Sequence, residues 1–266
     1  MSTSPDLRSG TYQRARRPEQ KLERRDAILG AARELALRDG VRAVTLGDIA
    51  ARVGIHKSAL LRYFETREQI FLEVTADAWR EWVTALHAGL DPAAADAGAP
   101  AAATPVSEPR VSEPRVSEPR VSEPRASEPR AAEALGSAAL VADVFARSFG
   151  DRPLLCDLIA HTPLNLERNV SPDAVRRYKL TSLAAVDEAA AIVQRALPEL
   201  TLAECGEFVA ALASLAGAVW QIANPVAALA ELFAADPALA GACVDLTPRL
   251  RRTAQILLAG LVPSRP

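Results

Sequence analysis

An all-α fold is what this chain predicts, and three observations predict it. Apolar residues recur three and four apart over most of the sequence, and nowhere do they alternate with the period of two that a half-buried strand needs. Helix-start signals stand before several of these stretches: Thr45-x-x-Asp48, Thr201-x-x-Glu204 and Ser171-Pro172. Apolar residues make up 49% of the 266 positions, enough for one small core and one larger one.

The first helix is predicted from Arg24 to Arg38. Ile28, Leu29, Ala32, Leu35 and Ala36 mark its apolar face, and Gly40 follows as a C-terminal cap. Residues 1–23 before it read as a basic, disordered arm. Its Arg8, Arg14, Arg16, Arg17 and Lys21 suit either a solvated tail or contact with phosphate. Thr45 to Phe64 reads as two short helices joined by a tight turn. Ile49 and Val53 lie one turn apart and bury the first of these. Ala50 is small where the second helix crosses, and Gly54 can take the left-handed conformation that reverses the chain. Ile55 and Leu60 pin the second helix, which opens with His56, Lys57 and Ser58. Such a polar, basic face is suited to a DNA major groove. Thr66 then caps a long helix to about His87, buried along Ile70, Phe71, Val74, Ala78, Trp82 and Leu86.

The stretch from residue 24 to residue 72 contains ILGAARELALRDGVRAVTLGDIAARVGIHKSALLRYFETREQIF, and it resembles the DNA-binding domain of the TetR (tetracycline-repressor-like) family of bacterial regulators. The likeness rests on the preceding helix, the ordered helix-turn-helix spacing and the YF-x-x-[RK]-E tail at Tyr63 to Glu68. Two positions depart from it: Leu61 stands where the family often has Tyr, and His56 where it often has a small hydroxyl residue. The resemblance implies a double-stranded palindromic operator as partner, a homodimer, and an unidentified small-molecule effector that releases the DNA.

Net charge is −2 overall but unevenly spread. Residues 1–66 hold thirteen Lys and Arg against eight Asp and Glu, a surplus of +5, and the remainder carries −7. A basic head on an acidic body suits steering toward phosphate. Cys156, Cys205 and Cys243 lack paired spacing, so neither a metal site nor a disulfide framework is signalled, and a reducing cytoplasm is expected. The N-terminus has no apolar leader segment. The most apolar run, Phe208 to Trp220, is interrupted by Ser214 and reads as too short to span a membrane, so no membrane partner is expected. Nucleophile elbow, phosphate loop and metal-ligand spacing are all lacking, so neither an enzyme nor a cofactor is expected.

The organisation that follows is the arm 1–23, the helix-turn-helix domain 24–67, a connecting helix 68–90, a linker 91–130 and a helical effector-binding and dimerisation domain 131–266. Within the linker, VSEPR occurs four times from Val106 and is followed by ASEPR ending at Arg130. Proline at every fifth position and one small apolar side chain per repeat predict a disordered insertion, with a docking site for a partner as the alternative. Further helices are predicted over residues 131–149, with Leu135, Leu140, Val144 and Phe145 inward. Others cover Arg152–Ala160, Ser171 to about Leu197, Thr201–Asn224, residues 226–235 and Thr247 to about Leu261.

Position on the recognition helix selects the DNA-contacting candidates. Lys57 and Ser58 face base edges, with guanine and phosphate both open to Lys57. Leu61 can meet a thymine methyl, and His56 is either a DNA contact or plain surface. Arg62, Tyr63 and Arg67 are phosphate candidates, and Thr45 adds a contact through a helix N-terminus. For the effector implied by the resemblance, the candidates are the polar and aromatic groups on otherwise apolar helices: Trp79, Trp82, Phe149, His161, Asn165, Tyr178 and Trp220. Ala210, Ala213 and Gly217, small residues on the Thr201 helix, and Leu250 and Leu257 on the last helix are the dimer candidates, with packing inside one subunit as the alternative. An activator or a sequence-tolerant architectural DNA binder remains the rival reading to a repressor.

Overall fold

In the computed structural model, residues 9–90 and 128–261 are described, and all regular structure among them is helical. Among the described residues ten α-helices follow in order: α1 Ser9–Asp39, α2 Leu46–Val53, α3 Lys57–Leu60, α4 Arg67–Gly89, α5 Glu128–Gly150, α6 Pro153–His161, α7 Pro172–Ala196, α8 Leu202–Ala223, α9 Ala227–Ala235 and α10 Leu246–Leu261, with a short 3-10 helix, Pro237–Ala242, between the last two. The linker expectation falls on residues 91–127, outside the described residues, except that α5 already begins at Glu128.

The N-terminal arm departs from expectation. Helix α1 starts at Ser9, so residues 9–23 are its N-terminal half rather than a disordered tail. Straight-chain residues that lose little freedom in a helix dominate this segment, among them Gln13, Arg14, Arg16, Arg17, Glu19, Gln20 and Lys21. The helix ends where expected: Gly40 has φ 83° and its amide donates to the Ala36 carbonyl at 2.9 Å.

A small head forms where α1, α2 and α3 meet. Ile28, Ile49 and Leu60 are fully buried there, backed by Ala32, Leu35 and Phe64. Helix α4 leaves the head and becomes the central helix of the body. All six residues of its predicted stripe are buried, and so are Leu72, Ala76, Trp79 and Val83 on its other sides. Two guanidinium–carboxylate pairs, Arg25–Glu73 and Arg33–Glu81, join α1 to α4 at the same 48-residue separation, so the two helices run parallel.

In the body α4 packs on α7, α6 and α10 pack on α8, and α10 also lies along α5. Pro163 has no N–H to continue the helical ladder after α6. The chain makes one wide turn over Thr162–Leu166, closed by Glu167 N donating to the Thr162 carbonyl at 3.2 Å. Of the residues expected inward on α5, Val144 and Phe145 are buried, but Leu140 is half exposed because the helix turns that side away from α4 and α10. Helix α8 corrects the expectation about membrane spans. Its 22 residues make it, among the described residues, the one helix long and apolar enough to cross a bilayer. Its apolar surface is instead used in contacts with α6, α7 and α10, with Phe208, Val209, Leu212 and Ala216 buried.

Candidate nucleic-acid interface

Thr45 begins the site. Its hydroxyl accepts from the Asp48 amide at 3.2 Å while the Asp48 carboxylate accepts from the Thr45 amide at 2.8 Å, so two open donors of the α2 terminus are satisfied together. Hydrogen bonds from Thr45, through hydroxyl and amide, hold the Asp48 carboxyl below its ordinary range. At the other end of α2, Gly54 has φ 72°, and the amides of Gly54 and Ile55 return to the carbonyls of Ala51 and Ala50. The reversal directs the chain into α3 with Leu60 inward against Ile49.

Helix α3 is short. Regular structure covers Lys57–Leu60, and single turns continue to Phe64 through Arg62 N to Ala59 O at 3.2 Å and Tyr63 N to Leu60 O at 2.9 Å. On the outer side Thr45, His56, Lys57, Ser58, Leu61 and Arg62 are all exposed, and Leu61 keeps 46% of its surface open. An aliphatic residue that exposed, amid polar neighbours, is free to meet an apolar group such as a thymine methyl. Tyr63 is half-buried, and its carbonyl accepts from Arg25 Nη1 at 3.2 Å.

Arg67 is placed differently from the sequence reading. Its guanidinium turns inward, donates to the carbonyls of Val41 and Val44, and lies 4.7 Å from the centre of the Phe71 ring. Those carbonyls belong to the loop between α1 and α2, which has no helical partner for them. The group expected on phosphate therefore closes the head from within. Sequence reasoning also missed Arg25, which bridges Tyr63 to Glu73 and lies 4.4 Å from the Phe64 ring centre. Its sole signal was its place at the rim of the Ile28 face.

The effector candidates do not gather around one cavity. Trp82 and Phe149 are fully buried and stacked at 4.9 Å, and the Trp82 indole donates to Ser148 Oγ at 2.9 Å. They are packed core where α4 meets α5, with Phe145 edge-on to Trp82 at 5.8 Å. Trp79, also buried, meets Trp82 edge-on at 5.3 Å, and its own indole N–H has no acceptor among the described residues. Trp220 is half-buried against the core. His161 and Asn165 line an open cleft of about 580 Å3 beside Val41, Arg42 and Gln221. Tyr178 lines another of about 390 Å3 between α1, α4 and α7, with Arg25, Glu73, Asp77 and Arg80.

The dimer candidates divide as well. Ala213, Gly217 and Leu250 are buried inside the subunit. A Cβ on Gly217 would stand 2.9 Å from the Ala160 amide nitrogen, so this glycine lets α6 approach α8. Ala210 is exposed and Leu257 half-buried. The outward stripe of α8 is Ala210, Ser214, Ala218 and Ile222, and Ile256 is open on α10.

Among the described residues no three His, Cys, Asp or Glu side chains gather as a metal site would require. No curated protein sequence matches the chain. Solved structures similar to it include the fatty acid degradation regulator FadR from Bacillus halodurans, at 12% identity and a TM-score of 0.48, covering 90% of this chain and 96% of that one. Another is a transcriptional regulator of the TetR/AcrR family from Thermobifida fusca, at 18% identity and a TM-score of 0.44, covering 92% and 100%. The family model for bacterial regulatory proteins of the tetR family matches residues 28–74, over the head just described. A second, for the tetracyclin repressor-like C-terminal domain, matches residues 119–265, more than half of the chain, and so this protein belongs to the tetracycline-repressor-like family of DNA-binding transcriptional regulators.

Proposed function

We propose that this regulator acts as an effector-released repressor, binding a palindromic operator as a homodimer in the bacterial cytoplasm and performing no enzymatic chemistry. The observation that carries the DNA side is the exposure of His56, Lys57, Ser58, Leu61 and Arg62 together, on a turn whose inner side is anchored by Leu60 and Phe64. In this reading Lys57 and Ser58 meet base edges, Leu61 a thymine methyl, and Thr45, Arg62 and the outer edge of Tyr63 the phosphates.

A homodimer answers a geometric need, because one recognition helix reads only a few base pairs and two-fold symmetry doubles the readout. The exposed Ala210, Ser214, Ala218 and Ile222 support α8 as a contact surface. For the effector, the Tyr178 cleft is favoured, because its walls come from α1 of the head as well as α4 and α7 of the body. A ligand there that prefers one spacing of α1 against α4 shifts the head between DNA-bound and released states.

Selection of duplexes from a random pool tests the reading. The expected result is an inverted repeat, bound by a species of twice the subunit mass. Lys57→Ala is expected to weaken that complex by about 1–3 kcal/mol if it reads a base. A strictly monomeric chain that enriches no sequence overturns the proposal.

A further inference from the structure

The N-terminal half of α1 is a candidate second DNA-contacting element. Counted at 100° per residue, positions 14, 17, 21 and 24 fall within about 40° of the direction of Ile28, the centre of the buried face. These positions are Arg14, Arg17, Lys21 and Arg24. The positions that continue the apolar face of α1 toward its N-terminus are thus all basic residues. Glu19 and Glu23 lie about 140° to 180° away, on the back of the helix. Over residues 14–24 both acids lie on that back, beside Arg16, and none lies on the side of the basic stripe.

Place decides what that side meets. Gln20 and Lys21 share a cleft of about 410 Å3 with Ala59, Arg62 and Tyr63, so the stripe begins beside the turn that follows α3. Lys21, Arg24 and Arg62 are exposed, and no ion pair among the described residues engages them. From position 14 to position 24 the helix rises about 15 Å, a length over which duplex DNA carries a dense row of phosphates, one charge per about 1.7 Å of axis.

We infer that this basic stripe holds the phosphate backbone next to the segment read by α3. The inference rests on the DNA-binding reading above and extends it to a second element, one that adds affinity without sequence preference. Such contacts release counterions, so their signature is the dependence of affinity on salt.

The test uses the full chain, the duplex recovered by selection and a random duplex of equal length. The triple variant Arg17→Ala/Lys21→Ala/Arg24→Ala keeps helix propensity, and circular dichroism verifies its fold. Its affinity for both duplexes should fall by a similar factor, about tenfold or more near physiological salt, with the slope of log K against log salt reduced by about 0.9 for each phosphate no longer neutralised. A charge-matched variant on the body, Arg168→Ala/Arg176→Ala/Arg195→Ala, should keep the original slope. Restoring charge as Arg17→Lys/Arg24→Lys in the otherwise unaltered chain should keep most of it as well. If the unaltered chain binds its selected duplex and the triple variant retains the same slope, the inference is overturned while the reading of α3 stands. An equal loss of slope in the body variant overturns it too, because net charge alone would then explain the effect. If the unaltered chain selects no duplex, the DNA-binding reading itself fails.

Discussion

The Asp157 carboxylate on α6 accepts a hydrogen bond from the Val41 amide at 2.7 Å, across 116 residues of sequence. Its other oxygen accepts from Gln221 Nε2 of α8 at 3.1 Å and lies 3.5 Å from His161 Nε2. One buried acid therefore joins the loop below the DNA-binding head to two helices of the body. A head that shifts against the body must strain or break this junction.

Asp157→Ala leaves the Val41 amide without its acceptor, and a buried unmade hydrogen bond costs about 1–3 kcal/mol. The expected outcome is a lower unfolding midpoint in denaturant and faster hydrogen exchange at Val41. An unchanged exchange rate at that amide would show that the contact contributes nothing.

Arg62 and Arg67 separate two roles for a cation near the groove. Arg67→Ala uncovers the carbonyls of Val41 and Val44 and should lower stability, leaving the salt slope of operator binding as it was. Arg62→Ala should leave stability nearly unchanged and reduce that slope by about one unit. Titrations of both variants across salt, beside thermal melts, check the assignment; the opposite pattern would contradict it.

Gly217 and Ala210 lie on different sides of α8 and should fail differently. Gly217→Ala forces its new methyl against the Ala160 backbone, and overpacking of this kind destabilises by about 1–3 kcal/mol. Ala210→Arg points into solvent within one subunit, so the subunit should melt as before while sedimentation shows monomers. A dimer that survives Ala210→Arg would move the interface elsewhere.

The cysteines give a prediction in pH. Burial, with Asp157 as a lesser cause, pushes the Cys156 thiol up to about 12, and burial raises Cys205 as well. Alkylation needs the thiolate. At pH 8 the native protein should take one alkyl group, at the exposed Cys243, and three when unfolded. Because the folded state holds the Cys156 proton more tightly than the unfolded one, its contribution to stability is complete below the ordinary thiol pKa. That contribution declines as pH rises toward about 12. Native labelling of Cys156 at pH 8, read by mass spectrometry, would contradict its burial.

Local chemistry is legible in the order of the residues. The Thr45–Asp48 box, the Gly54 turn, the Thr201–Glu204 box and the stripe of α4 depend on residues three or four apart, and all stand as read. The start of α1 is not legible, because charged residues in a helix and charged residues in a tail look alike without an apolar face. Asp157 offered one weak signal, an acid inside the run Leu154 to Ile159; its partner is too distant for any spacing rule to find.

By itself the sequence determined an all-helical chain with a basic helix-turn-helix head, because capping, turn reversal and helical periodicity are short-range. Tertiary packing alone decided that Arg67 serves the head's own loop, that Trp82 and Phe149 are core, and that Gly217 faces α6 within the subunit. A single helix face does not state which neighbour will cover it. That choice is made only when several helices compete for the same buried volume.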